Sequence, residues 1–469
     1  MKNSIKNNVQ ANIKLVQEDF KLELSDRFLN SVKFQIQYYG FEKVEQKNEY
    51  IGLKKNIKIN NVINYLEENH IKVKLCEETK KYIKKIQTEK IFFLEKIEKL
   101  KKIKENIPKE NLKKFSDSLK FLKRNLKEYQ LTSCYHLFCS ESAANFSVPG
   151  SGKTSVVLAY YEKLKIENKV DGILLIGPKN CFYSWNTEFL ETLGRNPKLS
   201  ILGKDIKLSE RIHIYKNSLK SEIYAFHFMT VSRDIEYLKD FASKNRFLLV
   251  IDEAHNIKKE GGNWAKAALE LGKLSKFKVI LTGTPRPNQH RDFYNYLDFL
   301  YGKNKILSKN DKAKIEVLVK RNNLKDADKI LKENIKPFYV RVTKKDLCLS
   351  KPNFNLPTLI QMNPIEKKIH DEIFSKMQNF SLKKYKKNID IIEKIKKARM
   401  IRLRQNCSYV KNLLKVIPYE IKDGDENLID EENMIDLIKS YDRQEKPAKI
   451  YYLKSLVLPL VRNNKKAIV

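Results

Sequence analysis

A glycine-rich turn that opens a helix and a strand that ends in paired carboxylates are the two places where this sequence carries chemistry. The turn is Pro149-Gly150-Ser151-Gly152-Lys153-Thr154, and the apolar run from Ser155 to Tyr160 behind it is a good helix start. Such a turn points backbone N–H groups outward at the positive end of a helix dipole, so it attracts anions. Lys153 adds a full positive charge, and the Thr154 hydroxyl is a ligand for Mg²⁺. With Gly150, Ser151, Gly152 and Ser155 they form a cradle for the β- and γ-phosphates of ATP. Ser147 stands where the standard turn has its first glycine, so the match is incomplete. An ordinary glycine-rich helix cap would look similar. The second place separates the two readings. Phe247-Leu248-Leu249-Val250-Ile251 runs into Asp252-Glu253-Ala254-His255. Carboxylates at the end of a buried strand sit at the carboxyl edge of an open sheet, where ligands bind. Asp252 would reach Mg²⁺, usually through water, and Glu253 would orient and deprotonate an attacking water. A third strand, Val279-Ile280-Leu281, ends in Thr282-Gly283-Thr284-Pro285. This is either a simple polar turn or a relay. In the second reading Thr282 and Thr284, together with His255, sense loss of the γ-phosphate and pass the change on.

The elements that must position these residues follow from hydropathy. Gly172-Ile173-Leu174-Leu175-Ile176 and Phe247–Ile251 are continuous apolar runs, short as strands are, and they alternate with helical patterns. That is the mark of an α/β fold with a parallel sheet covered on both faces. Before it, Ile83, Ile86, Phe93, Ile97, Leu100 and Ile103 recur at threes and fours up to Pro108, and Leu112, Phe115, Leu119, Leu122 and Leu126 resume the pattern. These are amphipathic helices with lysine-rich outer faces. The first 80 residues mix alternating and helical patterns, as in a small α+β region. Beyond Pro352 the chain reads as helical and polar, with an acidic loop at Asp423-Gly424-Asp425-Glu426.

Taken in order, the motifs resemble those of superfamily 2 helicases, and their flanks resemble the SNF2 branch. Leu126-Lys127-Glu128-Tyr129-Gln130 is similar to that family's L-x-x-Y-Q element. Leu175-Ile176-Gly177-Pro178-Lys179 with Trp185-Asn186-Thr187-Glu188-Phe189 resembles its motif Ia. Leu281–Pro285 with Asn288, and Phe299-Leu300, matches L-T-G-T-P-x-x-N…F-L. Pro337-Phe338-Tyr339-Val340-Arg341-Val342-Thr343-Lys344 resembles P-F-x-x-R-R-T-K with Val342 replacing an arginine, and Ile401–Ser408 resembles L-R-L-R-Q-x-C-S. The resemblance implies two RecA-like lobes that track along duplex DNA using ATP. It implies that Gln130 faces the adenine and that Lys179 is a contact to the nucleic-acid backbone. Together with the patterning before it, the resemblance, which covers roughly residues 120–469, divides the chain into a basic N-terminal accessory region (1–120), a RecA-like ATP-binding lobe (121–345), and a helical protrusion with the start of a second lobe (346–469). The segment from Pro447 to Val469 is similar to the entry to that second lobe, so a first strand is expected at Lys465–Val469. No Q-x-x-G-R-x-x-R segment, which supplies arginine fingers in the family, occurs in the sequence. The chain is therefore read as a fragment or a naturally truncated product.

Composition bears on partners. With 93 Lys+Arg against 57 Asp+Glu the formal net charge is +36. A codon bias toward lysine would raise glutamate too, so the excess favours a polyanion, double-stranded DNA above all, held by counterion release. The N-terminal region is a possible site for a protein partner. Six scattered cysteines without a CxxC pair fit a reducing cytoplasm, with nucleoid association if the source is bacterial, and no apolar run is long enough to cross a bilayer. Two functions stay open: an ATP-driven duplex-DNA translocase whose nucleotide pocket lies in this chain, or a basic binding module that holds ATP without turning it over. An RNA helicase fits the flanking motifs less well.

Overall fold

The computed structural model describes residues 10–17, 19–24, 30–44, 49–53, 57, 59–217, 219–284, 290–349, 354, 356–378, 389–415, 432–444 and 446–467. The chain divides into two compact units, residues 1–350 and 351–469.

The first unit opens with a small sheet built from β1 (Gln10–Val16), β2 (Asp19–Leu24), β3 (Glu42–Lys43), β4 (Glu49–Leu53) and β5 (Lys72–Leu75), in the order β3-β4-β2-β1-β5. Every second residue of β2 is buried, which brings Phe20, Leu22 and Leu24 against α1 (Asn30–Tyr38) and α2 (Ile59–Glu68) through Ile36, Val62 and Leu66. α3 (Glu77–Glu105) starts on this sheet with Ile83 and ends in the next core with Leu100. α4 (Lys109–Asp117) begins directly after Pro108, a residue that suits a helix start and no helix interior. Phe115, Leu119 and Leu122 enter the core on the other face of the lobe's sheet, so residues 93–122 pack as part of the lobe.

The lobe comprises α5 (Glu128–Ser140), β6 (Ser142–Asn145), α6 (Lys153–Ile166), β7 (Gly172–Ile176), α7 (Lys179–Leu193), β8 (Leu199–Leu202), α8 (Leu208–Lys216), β9 (Ile223–Phe226), α9 (Phe228–Arg233), α10 (Ile235–Lys244), β10 (Phe247–Ile251), α11 (Asn263–Gly272), β11 (Phe277–Leu281), α12 (Tyr294–Tyr301), α13 (Lys309–Lys320), α14 (Leu324–Ile335) and β12 (Tyr339–Val340). Its strands form one seven-stranded parallel sheet in the order β12-β6-β11-β10-β7-β9-β8. Period-2 alternation sends Leu248 and Val250 to the face covered by α6 and α7, while Leu249 and Ile251 meet α11 and α12 on the other. This is the α/β, RecA-like architecture anticipated from the sequence. Its consequence is positional: β6, β11 and β10 are neighbours, so the turn after each of them emerges side by side at one edge of the sheet.

The second unit contains α15 (Pro364–Gln378), α16 (Ile389–Ser408), α17 (Glu432–Gln444) and α18 (Ala448–Arg462). Ile369, Ile373, Leu403, Ile438 and Tyr441 form its core. Glu366 is buried there and accepts from Tyr441 Oη at 2.6 Å and Ala448 N at 3.2 Å, and its carbonyl accepts from Asn406 Nδ2 at 2.9 Å. The acidic loop at 423–426 lies outside the described residues. The expected final strand is not formed over residues 465–467, and 468–469 lie outside the described residues. Among the described residues no helix is long and apolar enough to cross a membrane.

Candidate nucleotide site

The chain leaves β6 at Asn145, turns through residues 146–152, and enters α6 at Lys153. Gly150 and Gly152 both have left-handed backbones, at φ +81° and +76°, which an L side chain adopts only with strain. A Cβ on Gly150 would meet nothing within 4 Å, whereas one on Gly152 would fall 2.0 Å from Gln130 Nε2. The turn is tied on both sides. Ser147 N donates to Asn145 Oδ1 at 3.1 Å, and the Ser147 hydroxyl accepts from Val342 N at 2.9 Å. Phe146 N and Val148 N donate to the carbonyls of Val340 and Val342. The turn thus pairs with the chain around β12, and Ser147 has a bonding role that a glycine could not fill.

Lys153 Nζ folds back on the turn, 3.1 Å from Ser147 O and 3.4 Å from Val148 O. Burial draws its pKa below the usual lysine range, opposed by the charges of Asp252 and Glu253, so these groups share one electrostatic neighbourhood. The Ser151 hydroxyl is buried with no hydrogen-bond partner. An orphaned donor, two left-handed glycines and a lysine at a helix N-terminus suit a phosphate. The Ser155 hydroxyl is instead engaged by Glu188 and by Arg124 Nη2, the latter at 2.9 Å, so its backbone N–H is what it can offer a nucleotide. Gln130 closes the near side: its Nε2 donates to Ser151 O at 3.1 Å and its Oε1 accepts from Lys127 N at 3.0 Å.

Asp252 and Glu253 follow β10. Asp252 is almost wholly buried, with Oδ2 accepting from Trp185 Nε1 at 2.9 Å and Oδ1 from Glu253 N at 2.9 Å. The Cys181 thiol also bonds this carboxylate, and burial first, then the Asp252 charge, pushes the thiol pKa up so that it stays a donor. Glu253 adopts a left-handed backbone at φ +48°, and its carbonyl accepts from Asn256 Nδ2 at 2.8 Å. That conformation carries strain in a non-glycine residue, as functional sites often do. The Glu253 side chain is part-exposed, with His255 Nδ1 3.1 Å from its Oε2, although the pair is out of line for a hydrogen bond. Thr282 is fully buried. Its backbone N donates to Asn145 O at 3.3 Å, and its hydroxyl accepts from Thr284 N at 3.1 Å. A Cβ on Gly283 would press on the Pro149 ring at 3.0 Å, so the threonine turn abuts the phosphate turn directly. Pro285 and Asn288 lie outside the described residues. Lys179, the first residue of α7, is exposed and pairs with Asp205 at 3.1 Å, apart from the groups above.

Thr154 heads α6 beside Lys153, and its hydroxyl together with the Asp252 carboxylate would be the oxygen donors for Mg²⁺, a cation that keeps several waters and takes few protein carboxylates. The donor set fits.

A family model for the SNF2-related domain matches residues 146–415, more than half of the chain. The chain belongs to the SNF2-related domain family. It is 28% identical over 269 residues to an uncharacterized ATP-dependent helicase, MG018, of Mycoplasma genitalium, covering 56% of this chain and 24% of that protein. It is 27% identical over 249 residues to the chromatin remodeling factor mit1 of Schizosaccharomyces pombe, covering 50% and 16%. The chain thus spans less than a quarter of the length of these curated relatives. A solved SWI2/SNF2 ATPase core from Sulfolobus solfataricus, in complex with dsDNA, aligns with 65% of this chain and 66% of its own at 22% identity and a TM-score of 0.41.

Three residues of the SNF2 site have no assigned role in the sequence reading. Trp185 and Glu188 appear there only as motif members, and Arg124 not at all. Arg124 pairs with Glu188 and, at 2.9 Å, with Glu191, clamping the segment before α5 to α7. The usable signal is the spacing of Cys181, Trp185, Glu188 and Thr192, which puts all four on one face of α7.

Proposed function

We propose that this SNF2 lobe binds ATP with Mg²⁺ and is the nucleotide-binding half of an ATP-driven duplex-DNA translocase. The observation that carries the reading is the convergence of the Gly150–Thr154 turn, Asp252-Glu253 and the Thr282–Thr284 turn at the ends of three adjacent parallel strands. Lys153 leaves its two carbonyl partners to meet the β- and γ-phosphates, while the Ser151 hydroxyl and the Ser155 backbone N–H line the turn. Gln130 stands at the edge of that turn, placed to read the base. Mg²⁺ held by Thr154 and Asp252 would neutralise phosphate charge. Glu253 orients the attacking water and accepts its proton. Thr282 and Thr284, with His255, report the state of the γ-phosphate through the contact of Gly283 with Pro149. Arginines from outside this lobe would stabilise the transferring phosphoryl group, a contribution of about 10³–10⁵ in rate. Relatives named helicases and a chromatin remodeling factor, together with the net charge of +36, support a nucleic-acid partner. Lys179 is the candidate contact.

The test is equilibrium ATP binding and steady-state hydrolysis with and without duplex DNA, for the wild type, Lys153→Ala and Glu253→Gln. Lys153→Ala should lose nucleotide binding, and Glu253→Gln should retain binding but show no turnover. Unchanged ATP affinity in Lys153→Ala would sink the reading. The large positive charge also favours a second one, a DNA-binding module that holds ATP without hydrolysing it. That reading expects salt-sensitive DNA binding that survives Glu253→Gln and no turnover by the wild type.

A further inference from the structure

The face of α7 carrying Cys181, Trp185, Glu188 and Thr192 makes more contacts to the nucleotide site than any motif assigns to it. Trp185 is the residue with the most to explain. Its ring is 1% exposed and packs in the core between α6, α7 and the sheet. Packing alone would be satisfied by any large apolar side chain. A buried indole, however, needs an acceptor for its single N–H, and here the acceptor is a carboxylate. The bond from Trp185 Nε1 to Asp252 Oδ2 is buried and 2.9 Å long. A hydrogen bond to an ionised acceptor is shorter and stronger than a neutral one.

The second oxygen of Asp252 is also held, by Glu253 N at 2.9 Å. These two donors on two different oxygens, with the Cys181 thiol bonding the same carboxylate, fix its rotation about its last bond. An ionised carboxylate offers about four acceptor sites, so three donors leave room for one more partner. The direction in which that remaining site points is therefore decided by Trp185, the Glu253 backbone and Cys181, and of the three Trp185 is the one held most rigidly by its packing. Groups that hold a metal-binding carboxylate in this way tune the affinity of the site, and their loss costs about 10–100-fold.

We propose that Trp185 is the positioning residue for the metal-binding carboxylate: its indole N–H sets the orientation of Asp252 and with it the affinity of the lobe for the Mg²⁺–nucleotide complex. This rests on the nucleotide reading above. Trp185 touches neither nucleotide nor metal, so its effect is confined to the part of binding that depends on the ion.

The decisive experiment measures binding of a fluorescent ADP analogue to the wild type and Trp185→Phe, first in EDTA and then across a Mg²⁺ titration. Phenylalanine keeps an aromatic ring in the core and removes the donor. Affinity in EDTA should stay within about twofold. The Mg²⁺ concentration at half-effect should rise about tenfold, the lower end of the range because Asp252 would reach the ion through water. An unchanged Mg²⁺ midpoint would overturn the proposal and leave Trp185 a packing residue, whatever happens to its melting temperature. A second measurement uses the native chain in case the variant folds poorly. The sequence has two tryptophans, Trp185 and Trp264, so ¹⁵N-indole spectra resolve them directly. The Trp185 signal should move between ADP in EDTA and ADP with Mg²⁺ while that of Trp264 stays, and a Trp185 signal indifferent to Mg²⁺ counts against the proposal. A wild-type chain that binds no nucleotide in either buffer would remove the nucleotide reading itself, and this inference with it.

Discussion

Replacing Gly152 by alanine should damage nucleotide binding through two separable effects. The first is conformational: Gly152 sits at φ +76°, and holding an alanine in the left-handed region costs roughly 1–2 kcal/mol. The second is contact. The new Cβ would fall 2.0 Å from Gln130 Nε2, so the carboxamide must swing away and give up its bond to Ser151 O, a further loss of about 1 kcal/mol. The sum, roughly 2–3 kcal/mol, corresponds to a fall in ATP affinity of about 30–150-fold if the turn must be restored before the phosphates can bind. Gly150→Ala is the internal comparison. Its backbone is equally left-handed at φ +81°, but its Cβ would meet open space, so it suffers only the first effect and should lose about 5–30-fold. Adding Gln130→Ala to Gly152→Ala should make binding no worse, because the clash and the lost bond belong to the same side chain. Fluorescent-nucleotide titration measures all four proteins, with thermal melting as the control for folding. A Gly152→Ala variant that binds within threefold of the wild type, or no better with Gly150→Ala than with Gly152→Ala, would refute the reasoning.

Lys278 lies on β11, almost buried, donating to Gly272 O at 3.0 Å, and burial first, then Lys305 and Lys96, draws its pKa to about 8. The folded state prefers the neutral amine, so below pH 8 the charge opposes folding by roughly 3 kcal/mol, a loss that fades as pH rises toward the ordinary value of 10.5. Lys278→Met should therefore raise the melting temperature at pH 7 by the equivalent of about 2 kcal/mol after the lost hydrogen bond is counted, and the gain should vanish by pH 10.5. Asp234 is buried and receives Arg211 Nε at 2.6 Å, Arg211 Nη2 at 2.9 Å and Tyr215 Oη at 2.8 Å. Asp234→Asn strands the buried guanidinium and should cost about 3–5 kcal/mol in chemical denaturation, while a cost under 1 kcal/mol would show that water reaches Arg211.

The parts of the lobe that could be read in advance share a physical cause. β7 and β10 are buried on both faces, so they appear as unbroken apolar runs, β11 shows the apolar run Val279–Leu281 behind Lys278, and Lys153 and Asp252 sit in motifs only a few residues long. β12 could not be read, because Tyr339 and Val340 form a strand only by pairing with Ala144 and Asn145. α3 and α4 look like free amphipathic helices with lysine faces. That the stripe through Leu100 and Phe115 enters the lobe cores is decided by tertiary packing. The same limit applies at the site. The bond between Trp185 and Asp252 joins residues 67 positions apart and leaves no local periodicity, and Arg124 sits in a basic run that resembles a solvated face. Ser147 looked like a defect in the phosphate motif, yet its hydroxyl is bonded to the backbone of Val342, another position where the motifs depart from the family pattern.

That bond makes the phosphate turn one side of a zipper. Phe146, Ser147 and Val148 are laced to Val340 and Val342 by three hydrogen bonds that bridge nearly two hundred residues of chain, and the lace ends where the polypeptide leaves the lobe. A pull on the segment beyond Val342 would open the lace from its last rung, at Val148, and slacken the turn that Gly150 and Gly152 shape. Conversely, a turn tightened around a phosphate would draw the outgoing segment against the sheet. Force on the exit of the lobe and occupancy of the phosphate turn would then be two ends of the same cord.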